Sequence, residues 1–598
     1  MMPTSTRARR LPALLGLLVL MALVVTLLPL ATAPWADAAP PQPKTPKFGK
    51  AIESYAAYEP NTVCDPVNRP GAEKIADLIR QTYGSDESIG ISRNACYTTS
   101  EHNDGRAIDW MVDATTKTGR AKANAFLDWL LATDKYGNKD AMARRLGIMY
   151  IIFNRQIWRA YDGGHWGPYN GTNPHTDHIH ISLAFDGSTG RTSFWTGTPL
   201  APSCSNGSLT TSVPKVQTDP MGYVPVTPTR LASTESGAGM LGGPCRLFHG
   251  SGRRVDVQVT GTGPVPGKGV AAVALNVAMR RPSWVSSLTA GPAGGEIPAV
   301  QRVSALQNQV STASMVLPVG ADGKVSFFTS FGATDLAVSV VGYYVDPDAS
   351  QKVKQKISAG GGDEYDAVRP DRVAEVGLGP SESRKVTVAG VGGTDAAASS
   401  ATVSITVETG PGRGSVFAYP AGQDRPKVAA VTYGKKATTV QTSVPVGRDG
   451  AIVVENAGSD GRTVAVDLSG AYEPAALAGG TSLSLRKAPK KVVDTGSGLG
   501  LANLGDGASK TIALGSSVPR GADAVLLQVT AKKPKSDGTL TFWQPGTPRP
   551  GTVDLSVRSG DIVTGTVVAR VGDGRKVNVK NVGAAGLDVK VTVLGSFR

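Results

Sequence analysis

Histidine and cysteine are scarce in this chain: 598 residues hold 6 of the first and 4 of the second. The even set of Cys64, Cys96, Cys204 and Cys245 favours structural disulfides in an oxidising compartment over a thiolate metal site. Three connectivities exist, and proximity in sequence points to Cys64 with Cys96 and Cys204 with Cys245. Long hydrophobic runs are also missing. Beyond about residue 33 nothing approaches the roughly 18 uninterrupted apolar residues that a spanning helix needs, so no later membrane crossing is expected. Dense basic clusters are absent too, although 62 Lys and Arg against 48 Asp and Glu leave a formal charge of +14. Charge spread in this way either draws the protein to polyanions such as anionic wall polymers or lipid headgroups, or serves solubility.

What is present begins with MMPTSTRARRLPALLGLLVLMALVVTLLPLATAPWADAA. Arg7, Arg9 and Arg10 precede an apolar run from Leu11 to about Ala33, and Ala36 and Ala38 follow it. This is the layout of a secretory signal over residues 1–38, cleaved after Ala38. The length of the run leaves an uncleaved anchor open. Either reading places the remainder outside the cytoplasm, secreted or at the cell wall, which sets nucleic acid aside as a partner. Membrane contact is expected only with the anchor retained.

Two regimes follow. In GAEKIADLIRQTYG (71–84) and KANAFLDWLLATDKYG (122–137) apolar residues recur at helical spacing, GIMYIIFN (147–154) reads as a buried strand, and HIHISLAF (178–185) alternates. A compact α+β head over residues 48–200 is expected. After about Pro202 helical periodicity vanishes, and Val-rich runs alternate with Asp-Gly and Gly-Pro turns. Self-similarity emerges in the openings VTPTRLASTESG (226–237), VRPDRVAEVGLG (368–379) and KAPKKVVDTGSG (487–498), and in the closings LAVSVVGYY (336–344), VAVDLSGAY (464–472) and VKVTVLGSF (589–597). Three all-β repeats, each an antiparallel sandwich or barrel, are expected at 222–346, 364–474 and 481–598, with linkers around 348–364 and 473–480. The fold class is therefore multidomain, an α+β head followed by three all-β repeats.

Four of the six histidines fall in two short stretches, SEHNDGRAID (100–109) and HTDHIH (175–180). A hydrolytic zinc takes three protein ligands and leaves one position for water. His178 and His180, two apart on an alternating strand, share a face. In AIDWMV, Ile108, Trp110 and Val112 suit the core while Asp109 faces the other way. The Asp104-Gly105 turn can bring His102 to Asp109. Arg106 and Arg93 suit either a substrate carboxylate or an ion pair. Trp158, His165, Trp166 and Tyr169 lie in a glycine-rich segment that either walls a cleft or packs.

SEHNDGRAID fits the Ser-x-His-x-x-Gly-x-Ala-x-Asp signature at every fixed position, and the head resembles the D-alanyl-D-alanine metallopeptidases of the hedgehog/DD-peptidase fold. HTDHIH resembles the His-x-x-His-x-His element of related murein endopeptidases. The β units resemble a repeat common in exported proteins of actinobacteria. The first resemblance covers roughly residues 60–190 and implies a zinc held by His102, Asp109 and His180. Ser100, Arg106, Arg93 and Trp166 are the candidates for the substrate side. Where carboxypeptidases of this family place Glu, three residues before the last ligand, this chain has Asp177. His178 faces with His180 and is the favoured base or transition-state stabiliser, Asp177 the second choice. His175 is either a supporting residue or a loop histidine. The activity implied is hydrolysis of an amide bond in peptidoglycan peptides, by carboxypeptidase or endopeptidase action, with the repeats holding the enzyme at peptidoglycan or another wall polymer. The alternative is a non-catalytic wall-binding or adhesion protein with a structural metal.

Overall fold

Pro70 opens the first helix because its fixed φ suits the first helical position, where no N–H is needed. The computed structural model describes residues 39–61, 64–93, 98–250, 253–357, 362–475 and 480–598. The signal or anchor (1–38), Cys96 and parts of both expected linkers lie outside the described residues. The chain divides into Met1–Pro40 and Pro41–Arg598, and everything below concerns the second unit. Among the described residues no helix is long and apolar enough to cross a membrane.

Helix α1 (Pro70–Tyr83) buries Ala72, Ile75, Ala76 and Ile79 and stops at Gly84, whose φ is 132°. Helix α2 (Lys117–Leu131) is capped by the Thr116 hydroxyl, which accepts from the Gly119 N–H, and buries Phe126, Leu127 and Leu130. Helix α3 (Ala141–Leu146), not anticipated from the sequence, ends on left-handed Gly147. These helices cover a sheet of β1 (Ile89–Gly90), β2 (Ala107–Trp110), β3 (Ile148–Phe153), β4 (Gln156–Arg159), β5 (His165–Pro168) and β6 (Ile179–Leu183). Its order is β1-β2-β6-β3-β4-β5, and every pairing is antiparallel. Ile108, Trp110, Ile179, Ile181 and Leu183 join the core with the helices. Fully burying an aliphatic side chain such as Ile79 contributes about 1.5–3 kcal/mol. The alternate positions on β2 and β6, among them Asp109, His180 and Ser182, go to the other face.

From Tyr223 onward the described strands pair antiparallel, with one short α-helix, Gln351–Ile357, between the first two repeats. Each repeat stretch forms two sheets around its own apolar core. The opening strands Tyr223–Ser233, Glu364–Leu378 and Leu483–Asp494 pair with the closing strands Ala333–Val345, Arg462–Glu473 and Asp588–Phe597 of the same repeat. That pairing is why the opening and closing motifs recur together.

The three repeats close into a ring with pseudo-threefold character. Two main-chain hydrogen bonds tie Met221 to Leu483, two tie Asp363 to Tyr223, and two tie Thr481 to Tyr365. In each pair the lead-in to one repeat bonds the start of the one before it, and repeat 1 bonds repeat 3. The aromatic residues of the motifs fill the centre: Tyr223, Tyr344, Tyr365, Tyr472 and Phe597 belong to one buried cluster, and the Tyr344 and Tyr472 hydroxyls lie 2.7 Å apart. Outside it the contacting sheet faces are polar. The Thr442 hydroxyl donates to Asn276 (3.0 Å), and Arg302 donates to Gln528 (3.3 Å).

The head is cross-linked to repeat 1. Arg246, almost fully buried, donates from one nitrogen to both oxygens of Asp186, each at 3.1 Å, and lies 3.5 Å from Asp335. Phe185 stacks on Trp284, the ring centroids 4.7 Å apart. The connector between head and repeat is stapled by the Cys204–Cys245 disulfide. Cys64 is also disulfide-bonded, while its expected partner Cys96 lies outside the described residues.

Candidate metal centre

The two histidine stretches meet because β2 and β6 pair in a register that sets Asp109 directly opposite His180. His102 arrives from a short 3-10 turn, Glu101–Asp104, whose Ser100 hydroxyl accepts from the His102 N–H (3.4 Å). The turn ends on Gly105 at φ 70°, packed so closely that a Cβ there would stand 1.9 Å from the Val67 carbonyl oxygen. Only glycine fits both demands.

Asp109 Oδ1 is the hub. It lies 3.2 Å from His102 Nε2, 2.8 Å from His180 Nδ1 and 3.7 Å from His178 Nε2. One ligand atom from each of His102, Asp109 and His180 lies within 4.8 Å of the others, and all three residues are buried, so the triad could hold a metal ion. The donor set fits one. The Nδ1–H of His102 donates to the Ile91 carbonyl, which leaves the Nε2 lone pair turned toward a carboxylate oxygen. That nitrogen is buried with no hydrogen-bond partner. A cation between these atoms removes both the repulsion and the orphan.

Burial pushes His102 down to about 3, with the neighbouring His180 adding to it, and burial likewise pushes His180 down to about 4. Both imidazoles are therefore neutral far below the usual titration range. A pair of ordinary histidines would lose roughly tenfold in metal affinity per residue at about one pH unit below 6.5. Here cobalt(II) affinity, followed by visible absorption, is expected to stay nearly constant from about pH 7.5 to 5.5 and to fall only toward pH 4. A decline setting in just below neutrality would contradict this.

The ligands are themselves held. His180 Nε2 lies 2.9 Å from the Ser182 hydroxyl, which donates to Glu101 Oε2 at 3.4 Å. Tyr150 donates to the same Glu101 oxygen (2.6 Å) and stacks its ring on His180. Outer hydrogen bonds of this kind fix a ligand's tautomer and ring angle, and their loss typically costs 10–100-fold in metal affinity. Ser182→Ala is thus expected to weaken zinc binding roughly tenfold without changing the thermal midpoint of the metal-free protein. Calorimetric titration measures the first, and unchanged affinity would count against the relay. Ser182 was readable as the next same-face position after His180. Glu101 and Tyr150 carry no such signal, because the fold alone brings them there.

The other sequence candidates scatter. His175 and His178 reach the site, with ring centroids 4.6 Å apart, and His175 lies 5.7 Å from His180. His175 takes a positive φ of 51°, and its Nδ1 lies 2.8 Å from the Asn173 carbonyl oxygen. Asp177 is exposed and does not face the ligands; its Oδ1 lies 2.7 Å from His178 Nδ1, and this hydrogen bond holds its carboxyl below the usual range. Arg93, at the rim, pairs with Oδ2 of Asp109. Arg106 overturns its expectation. It is fully buried, donating to Asp104 (2.9 Å) and to the Leu183 and Glu59 carbonyls, and lies over the Phe185 ring. No face of it is left for a substrate carboxylate. Ser100 serves as the turn's cap. Trp166 stands on edge strand β5, three strands from β6 and so roughly 14 Å away across the sheet. From that aromatic segment it is Tyr169 that meets the cluster, 5.1 Å from His175.

A family model described as VldE, C-terminal domain, matches residues 65–180, the stretch that carries all three triad residues. No curated protein matches. Among solved structures the chain is similar to the N-terminal CBM22 tandem domain of Paenibacillus barcinonensis Xyn10C, at 9% identity over 45% of this chain and 99% of that one, with a TM-score of 0.11. It is also similar to a chain of Sulfolobus Turreted Icosahedral Virus, at 7% identity over 63% and 92%, with a TM-score of 0.14. TM-scores this low carry no argument. The firm likeness is the 65–180 match, and it covers the metal triad.

Proposed function

We propose that the protein is an exported zinc peptidase acting on amide bonds of peptidoglycan peptides. The reading rests on its resemblance to the D-alanyl-D-alanine metallopeptidases, and the observation that carries it is the buried His102–Asp109–His180 triad with His178 turned into it. A zinc held by the triad supplies a Lewis acid that polarises the scissile carbonyl and acidifies the attacking water. His178 takes the proton at Nε2, the nitrogen that faces Asp109. Asp177 holds the proton on His178 Nδ1, so the two candidates for the base form one pair in which histidine acts and aspartate orients. His175 donates its Nδ1–H to the Asn173 carbonyl (2.8 Å), which leaves its Nε2 as an acceptor beside His178, able to orient a proton-bearing group of the substrate. Arg93 is the guanidinium at the rim for a substrate carboxylate. The disulfide and the N-terminal layout support an exported protein at the cell wall.

The test compares purified muropeptides incubated with the zinc-loaded protein, the chelated protein and His178→Ala. Cleavage by the first alone supports the reading, whereas cleavage equal in all three contradicts it.

A further inference from the structure

The repeats form a half-open cavity of about 640 Å³ at the place where one loop of each repeat meets its two equivalents. These loops join Gln301–Ala305 to Val310–Pro318, Val431–Tyr433 to Thr438–Pro445, and Leu555–Val557 to Ile562–Arg570. The flanking strands pack cyclically. Ser304 meets Thr564 (3.2 Å), Ser556 meets Thr439 (2.7 Å), and Val431–Tyr433 lies against Val310–Pro318. The loop tips are thereby gathered as three copies of a chain are gathered on the axis of a homotrimer. Because the repeats differ in sequence, the tips are free to carry different side chains.

The charged side chains that line the cavity, on the tips and beside them, are mostly cationic. Arg280, Arg413, Lys435, Lys436 and Arg558 line the cavity against one carboxylate, Asp561. Three of the cations are answered: Arg280 by Glu235 (2.7 Å), Lys436 by Asp537 (2.9 Å) and Arg558 by Asp561 (2.7 Å). Among the described residues Arg413 and Lys435 form no ion pair. Both are exposed, in the same cavity wall, beside three further positive groups. Like charges gathered in a concavity repel one another and focus a positive potential outward, a cost that an entering anion reverses. Asn308, Ser415 and Ser559 add neutral hydrogen-bonding groups around the opening.

We propose that this cavity binds a segment of an anionic envelope polymer, with Arg413 and Lys435 gripping its phosphate or carboxylate groups. The site lies on the repeats and is independent of the metal centre, while the occupant's class rests on the reading of the protein as exported. Phosphate and carboxylate share the chemistry that two free cations recognise, and two probes separate them.

Calorimetric titration of the full chain with inorganic tripolyphosphate and, separately, with citrate tests the site. Saturable one-to-one binding is expected in low salt, weakening as salt rises. Tighter tripolyphosphate binding assigns a phosphate-bearing polymer, and equal or tighter citrate binding a carboxylated one. Arg413→Ala with Lys435→Ala should weaken binding at least about tenfold, as expected when hydrogen bonds to charged groups are lost. The charge-matched pair Lys352→Ala with Lys356→Ala, on the exposed helix Gln351–Ile357, should leave it unchanged, as should His102→Ala in the head. Equal weakening by the two lysine- and arginine-bearing pairs would reduce the effect to diffuse charge and overturn the proposal. So would the absence of saturable binding to both probes. Loss of muropeptide cleavage with anion binding intact would instead count only against the peptidase reading.

Discussion

Asp109→Ala is expected to strip the metal from the head and to abolish hydrolysis of muropeptides. Asp109 Oδ1 is the atom that His102, His180 and His178 all approach, between 2.8 and 3.7 Å, so its removal takes away one ligand and the common anchor of the others. Losing a residue that merely supports a ligand already costs about 10–100-fold in affinity; losing a ligand should cost more than that. The remaining Arg93 then sits with no carboxylate beside two imidazoles, an arrangement that disfavours any cation. Asp109→Asn, nearly identical in shape, separates chemistry from folding. It should retain the wild-type circular dichroism while binding zinc far more weakly. Wild-type zinc affinity in either variant would remove Asp109 from the centre.

Arg246→Ala is expected to destabilise the junction between head and repeats by about 3 kcal/mol, the lower end of the cost of removing one partner from a buried ion pair. Asp186 and Asp335 face Arg246 from the two sides of the junction and are themselves buried. Truncation leaves Asp186 with only Arg191 at 3.7 Å and Asp335 with only Arg281 at 3.4 Å, and also frees the Arg281 and Ala333 carbonyls that Arg246 binds. Because a chain with several cores need not unfold in one step, the measurement is hydrogen exchange of the amides around residues 185–188 and 333–335. Their protection should fall by orders of magnitude. Arg246→Met combined with Asp186→Asn and Asp335→Asn removes the charges together and should recover much of the loss. Unchanged protection in Arg246→Ala would mean that the junction is held by Phe185 and Trp284 instead.

Much of the head was legible because its signals are local. Helical spacing in 71–84 corresponds to Pro70–Tyr83, and the apolar run 147–154 to Ile148–Phe153. Alternation alone sent Asp109 and His180 to one face. The second helix, read from residue 122, starts five residues earlier, at Lys117, because the Thr116 cap decides its beginning. Arg106 misled for a physical reason: a guanidinium in a motif suits a substrate and a buried cross-link equally, and only the tertiary partners Leu183 and Glu59 decide. Asp177 and His178 looked like rivals, since nothing in their order reveals that one hydrogen-bonds the other. The cavity among the repeats was invisible for a similar reason. Arg413, Lys435 and Arg558 stand far apart in the chain, and ring closure through Met221, Asp363 and Thr481 is a long-range property that repeat spacing does not encode.

Mass spectrometry of defined muropeptides after incubation with the zinc-loaded protein tests the central claim most directly, with zinc content measured on the same sample. The account predicts one equivalent of zinc in the wild type and products heavier by one water at a peptide amide, both lost in Asp109→Asn. One equivalent of zinc bound through His102, Asp109 and His180 with every muropeptide left intact would contradict it.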